Sequence, residues 1–243
     1  MTEHNLTAVK IADIPVKPFK SIDHVLEVIF DDNNDIIPGV AIAINPEKIL
    51  QSLESEQVKS ILLDATIPFA DGIGVVKAVE KKSGSKLSRI AGADLWLAVI
   101  KKAALHSNSV FLLGSKPEVL SQCAEKLRAE TNVVIAGLCD GYFNDQDKLI
   151  NDIHHSGANI VIVALGSPKQ ELFIQRCKEK HPKAFYMGVG GSFDVYVGNV
   201  TRAPQFWINL NLEWFYRLIS EPKRIFRQLR LFKFIYLYLF NKI

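Results

Sequence analysis

Two apolar runs, Val161–Leu165 and Phe185–Val189, each open into a turn of small and polar residues. The first turn is Gly166-Ser167-Pro168-Lys169-Gln170-Glu171, and the second is Gly190-Gly191-Ser192-Phe193-Asp194. Glycine turns bring backbone amides close to a ligand, and amides beside carboxylate and carboxamide side chains suit a phosphate or a sugar. Asp71 stands in a comparable place, between the apolar Ile67-Pro68-Phe69-Ala70 and the glycines Gly72 and Gly74. Arg89-Ile90-Ala91-Gly92-Ala93-Asp94 and Gly114-Ser115-Lys116-Pro117 are two more stretches that combine a glycine with charged residues beside apolar segments.

Several chemistries are disfavoured by spacing. The glycines around Asp71 lack the third glycine and downstream acid of a dinucleotide fingerprint, and no GK[ST] phosphate loop occurs. Asp145-Gln146-Asp147 has the Asp-x-Asp spacing of metal-dependent sugar transferases, but it sits at a helix start, where an aspartate caps. His154 and His155 are adjacent and face different ways on a helix, while His106 and His181 are isolated. No metal site and no cofactor are expected.

The elements that must position these residues alternate in type. Ser21 caps a predicted helix over Ile22–Phe30, Ile37–Ile44 reads as a strand, and Pro46 opens a helix over Glu47–Leu53, followed by another over Glu56–Ala65. Further helices are predicted at Val75–Lys82, in the amphipathic stretch that follows Arg89–Leu95 and reaches about Ala104, and at Glu118–Glu130, Gln146–His155 and Gln170–Glu179. Strands are predicted at Val110–Leu113 and Val133–Ala136 and in the two runs above, with a turn running through Asp194. Crossovers of about a dozen residues imply an α/β fold, a Rossmann-like, mostly parallel sheet covered by helices. In such sheets ligands bind at the carboxyl ends of the strands. After residue 200 the alternation stops, leaving helices over Gln205–Ile219 and Lys223–Phe240. The expected division is an α/β domain, 1–200, and a helical appendage, 201–243.

Charge follows the same division. Residues 201–243 hold eight Lys/Arg against two Asp/Glu, a net of +6, while the rest carries a net of −3. The same 43 residues hold 11 of the 23 aromatics. Lys223, Arg227, Arg230 and Lys233 recur on one helical stripe, with Ile225, Leu229, Phe232 and Tyr236 on the other side. Such a helix suits the anionic membrane interface; the alternatives are a homo-oligomer interface or packing back on the body. Nucleic acid is not an expected partner, since no recognition motif accompanies the basic residues. The three cysteines form no CxxC pair, which argues for a reducing compartment. Neither an export signal nor an apolar run long enough to span a bilayer is read.

Together, Ala70-Asp71-Gly72-Ile73-Gly74, Arg89–Leu95, Gly114 with its loop, Gly166–Glu171, Gly188–Asp194, Arg202-Ala203-Pro204 and Leu212–Leu218 resemble the WecG/TagA/CpsF bacterial glycosyltransferases. The resemblance covers nearly the whole chain and is strongest to the branch that serves enterobacterial common antigen synthesis. It implies inverting, metal-independent transfer of N-acetyl-D-mannosaminuronic acid (ManNAcA) from UDP-ManNAcA to undecaprenyl-diphosphate-N-acetylglucosamine. The place implied is the cytoplasmic face of the bacterial inner membrane, with the enzyme bound peripherally. The rival readings are a neutral donor such as UDP-N-acetylmannosamine, and a non-catalytic docking partner of envelope enzymes.

Residue roles follow from the same resemblance. Inversion needs a base for the acceptor hydroxyl and stabilisation of the departing diphosphate. Asp71 falls on the family's base, although an aspartate of ordinary pKa, about 4, is a weak one unless its surroundings change it. Asp94 and Asp194 are rivals, and Asp94 would otherwise orient Arg89 or cap its helix. Asn45 and Gln170 fall on substrate-binding positions, with capping of the helix after Pro46 as the alternative for Asn45. A related teichoic-acid enzyme has a threonine two positions before that asparagine, where this chain has Ala43. Arg217, Arg224 and Arg227 are the cations implied for the diphosphate, together with the amides at Gly114, Gly190 and Gly191. Arg89 completes the expected substrate-binding set.

Overall fold

The structure is a computed structural model that describes residues 6–220, 225–240 and 242–243, with backbone alone for Arg217, Ser220 and residues 225–229. Six strands form one sheet: β3 (Gly39–Ile44), β4 (Ile67–Ala70), β5 (Val110–Gly114), β6 (Ile135–Cys139), β7 (Ile160–Ala164) and β8 (Phe185–Gly188). Their order is β4-β3-β8-β7-β5-β6 and every pairing is parallel. The central strands β5 and β7 are buried throughout, as continuous apolar runs in a doubly covered sheet should be.

Helices cover both faces. α2 (Pro46–Glu54), α3 (Glu56–Leu63), α4 (Ile73–Ser83), α7 (Gln146–Ser156) and α8 (Lys169–Lys180) bury apolar residues in one cluster. On the other side lie α1 (Ile22–Ile29), α5 (Gly92–Leu105), α6 (Pro117–Thr131) and α9 (Ser192–Val197). Local sequence fixes several starts. The side chains of Ser21, Asn45, Ser55 and Asp145 each accept a hydrogen bond from the backbone N–H three residues on.

The topology locates a crevice. From β5 the chain passes through α6 on one face to β6, whereas from β7 it passes through α8 on the other face to β8. Neighbouring strands that leave in opposite directions open a crevice at their carboxyl ends. Gly114 closes β5 against β7 there: its φ is +115°, and a Cβ would lie 2.4 Å from the Ala164 carbonyl oxygen. Left-handed backbone and a backbone clash both exclude a side chain. Gly114→Ala should therefore destabilise the fold by about 2–5 kcal/mol, read from denaturant unfolding, and native stability in that variant would contradict this account.

Several expectations need correction. β1 (Val9–Ile11) and β2 (Ile14–Val16) form an antiparallel hairpin ahead of the first helix, where no strand was predicted. β6 begins at Ile135 rather than Val133, and Ser192–Val197 is helical rather than part of a turn. The single helix expected over Gln205–Ile219 is two, α10 (Gln205–Asn209) and α11 (Glu213–Ser220), separated where Asn211 takes a φ of +59°.

The last helix, α12 (Ile225–Leu239), packs on α2 and α4. Phe234 is 1% exposed, and Gly74 makes its room, since a Cβ there would sit 3.1 Å from the Phe234 ring. Lys233 and Arg230 reach Glu54 at 3.0 and 3.3 Å. Phe232, Ile235, Tyr236, Leu239 and Phe240 remain exposed. Among the described residues, no helix is long and apolar enough to cross a membrane.

Candidate active site

The expected turns gather along the carboxyl edge of the sheet. Asn45 follows β3, Asp71 follows β4, Gly114 ends β5, Gly166 lies just past β7, and Gly190-Gly191 follow β8. Asp71 and Asn45 are neighbours across β3 and β4. The Asp71 N–H donates to the Ile44 carbonyl at 2.9 Å, and a Cβ on Gly72 would lie 3.9 Å from that of Asn45. Asp71 Oδ2 accepts a long bond, 3.4 Å, from the N–H of Gly92, the first residue of α5. The amino end of a helix favours a negative charge, so the half-buried carboxylate is held where its charge is supported. Asn45 Oδ1 caps α2 through the Lys48 N–H at 2.9 Å, which leaves Nδ2 as the group available to a ligand.

Two ion pairs bring distant segments to this place. Arg202 grips Asp94 with both terminal guanidinium nitrogens, at 2.5 and 2.7 Å, and Arg89 meets Glu213 at 2.8 Å. The Arg202 pKa is raised, chiefly by the hydrogen bond to Asp94 against the opposing effect of burial, then by the charges of Asp94, Glu213 and Asp71. Arg202 thus lies in the field of the Asp71 carboxylate. Arg89 and Asp94, expected at the substrate, have structural work here: they tie the start of α5 to the chain after residue 200. Their partners lie 124 and 108 residues away, too far for spacing to reveal.

At the crevice itself, Asp194 in the first turn of α9 accepts a hydrogen bond from Ser115 Oγ at 3.0 Å. That bond joins the exits of β5 and β8. The family comparison bears on the same span of chain. The model of the "Glycosyl transferase WecG/TagA/CpsF family" matches residues 9–243. The chain belongs to this family. Its members are glycosyltransferases, so the protein is an enzyme that takes a sugar-nucleotide donor.

Within the glycosyltransferase, Gln170 is placed differently from its expected substrate contact. It is 4% exposed, donates through Nε2 to Glu171 Oε1 at 2.9 Å, and accepts the Gly190 N–H at 2.9 Å. Its amide supports the glycine turn from beneath. Lys48 and Glu171, which the sequence reading did not select, form an ion pair at 2.8 Å in this buried region. Burial alone would raise the Glu171 pKa, but the Lys48 charge and hydrogen bond, with Gln170, outweigh it and hold the carboxyl below its ordinary range.

The sign of the resulting pH dependence follows. A carboxyl with a depressed folded-state pKa contributes stability that is complete above its unfolded pKa and lost as pH falls through the folded value. Glu171→Gln should therefore flatten the acid limb of the enzyme's stability curve, measured by thermal melts from about pH 7 to about pH 3. An unaltered acid limb would mean that other carboxylates set it.

Of the arginines expected near the diphosphate, Arg217 lies in α11 and Arg227 in α12, each with its side chain outside the described residues, and Arg224 lies outside them altogether. Among the described residues, no three His, Cys, Asp or Glu side chains are grouped to hold a metal ion.

Proposed function

We propose that this glycosyltransferase moves N-acetyl-D-mannosaminuronic acid from UDP-ManNAcA to undecaprenyl-diphosphate-N-acetylglucosamine, with inversion, in enterobacterial common antigen synthesis. The observation that carries the reading is the seat of Asp71: at the carboxyl edge of the sheet, beside Asn45 and at the amino end of α5. In the proposed step Asp71 takes the proton of the acceptor hydroxyl as its oxygen attacks the anomeric carbon. The bond from that carbon to the donor phosphate breaks, and UDP carries away the electron pair. Amides of the Gly114 and Gly190-Gly191 turns, with Arg217, Arg224 and Arg227, stabilise the departing diphosphate. Asn45 Nδ2 and Asp194 hold sugar hydroxyls, and Arg89 and Asp94 act by fixing the walls around them.

Residues 1–200 are the transferase unit in this reading, and 201–243 bring it to the cytoplasmic face of the inner membrane. The exposed aromatic and aliphatic residues of α12 support that role, with basic residues on the same helix for anionic lipid headgroups. The finer donor assignment is tested by offering UDP-ManNAcA and UDP-N-acetylmannosamine separately with one prenyl-diphosphate acceptor. Preferred transfer of the acidic sugar is expected; preferred transfer of the neutral one would overturn the donor and leave the enzyme class intact.

A further inference from the structure

We infer that Lys48 and Glu171 are positioning residues of the transfer, acting through Gln170 to hold the Gly190-Gly191 turn in its working shape. The functional half of this inference rests on the proposed reading of that turn as a cradle for the donor diphosphate. Four residues from three segments form one polar chain. Lys48 Nζ meets Glu171 Oε1 at 2.8 Å, Gln170 Nε2 donates to the same oxygen at 2.9 Å, and Gln170 Oε1 accepts the Gly190 N–H at 2.9 Å. Lys48 and Glu171 are each 5% exposed. The chain begins in the first turn of α2, whose cap is Asn45, and ends at the exit of β8. It therefore joins the strand exit beside Asp71 to the turn assigned to the donor.

Stability alone is a weak reason for burying an ion pair, because well-packed apolar residues of similar volume often serve as well or better. Direction supplies a better reason. An ionised carboxylate only accepts hydrogen bonds, so the Gln170 amide must face Glu171 with its nitrogen. Its oxygen is then left for Gly190. A reversed amide would set two donors against each other at Gly190 and push the turn away. Lys48 keeps Glu171 ionised in a buried place, and so fixes the orientation of Gln170. The amide has little room to adapt otherwise, since a Cβ on Gly188 would lie 2.6 Å from Gln170 Nε2.

The test compares the native chain with Lys48→Met/Glu171→Leu, which replaces the pair with apolar side chains of comparable size, and with Glu171→Gln. Thermal melts establish that the double variant folds. Amide hydrogen exchange at Gly190, UDP affinity and turnover are then measured. A folded double variant should exchange the Gly190 amide about tenfold faster, as expected for one weakened hydrogen bond. Its UDP affinity and kcat should fall by at least about the same factor. Glu171→Gln, which can still accept a bond but no longer dictates the amide's direction, should fall between the two. Native exchange, or native turnover, in a folded double variant would overturn the positioning role. The cradle reading is tested apart, on the native chain, where UDP should shift the Gly190 and Gly191 amide resonances. Absence of that shift, with accelerated exchange in the variant, would remove the diphosphate from the turn and keep the polar chain.

Discussion

Asp71→Asn should lower kcat by about 10²–10⁴-fold, the usual contribution of a general base, while leaving donor affinity and the fold nearly unchanged. Asparagine keeps the size of the side chain and an oxygen for the Gly92 N–H, so the junction of β4 with α5 can persist. What is lost is the capacity to take a proton. The observable is therefore turnover, with UDP affinity and melting temperature as controls. A fall in kcat together with a collapse in stability would mark Asp71 as a structural carboxylate. Native turnover in a folded variant would move the base to Asp194 or to the substrate. Asp94 is the weaker rival, because both of its oxygens are already held by Arg202.

The second large effect concerns the tail. Removal of residues 223–243 should abolish most binding to anionic vesicles and lower turnover on a long-chain lipid acceptor by at least about 100-fold. The segment carries six Lys/Arg, each worth up to about 1 kcal/mol near an anionic surface, and a set of exposed aromatic and aliphatic side chains. Even a third of that electrostatic sum is more than a tenfold change in affinity. A water-soluble, short-chain acceptor separates anchoring from chemistry. If the tail only anchors, turnover on that acceptor stays near native. If Arg224 and Arg227 also meet the diphosphate, turnover falls there too, and alanine at either position reproduces the fall in the full-length enzyme. Equal vesicle binding by the truncated and native chains would contradict the anchoring role. Truncation also uncovers Gly74 and Pro46 beside Phe234, close to the Asp71 turn, so melting of the truncated chain is a necessary control.

Much of this architecture was legible because local signals and global fold agree. The β5 and β7 strands are uninterrupted apolar runs, and Asn45-Pro46 is a cap followed by a proline at the first helical position. The signal failed where a structure depends on partners rather than periodicity. The β1–β2 hairpin turns on Ala12 and Asp13, both at positive φ, with no glycine to announce it, and its strands are three residues each. The break between α10 and α11 is made by an asparagine in a left-handed conformation rather than by a proline. At the site, glycines and aspartates beside strand ends could be picked out one by one. The pairings Arg202–Asp94, Arg89–Glu213 and Lys48–Glu171 could not, because each joins residues more than a hundred positions apart. Arg202-Ala203-Pro204 was visible as a motif, but its link to Asp94 and its nearness to Asp71 required the fold.

The most direct test of the central claim is UDP release by the purified chain given UDP-ManNAcA and a short-chain prenyl-diphosphate-N-acetylglucosamine, with chelator present throughout. The account predicts release that depends on the acceptor, persists in chelator and collapses in Asp71→Asn. Release that ignores the acceptor, or no release with any UDP-sugar and this acceptor class, would contradict it.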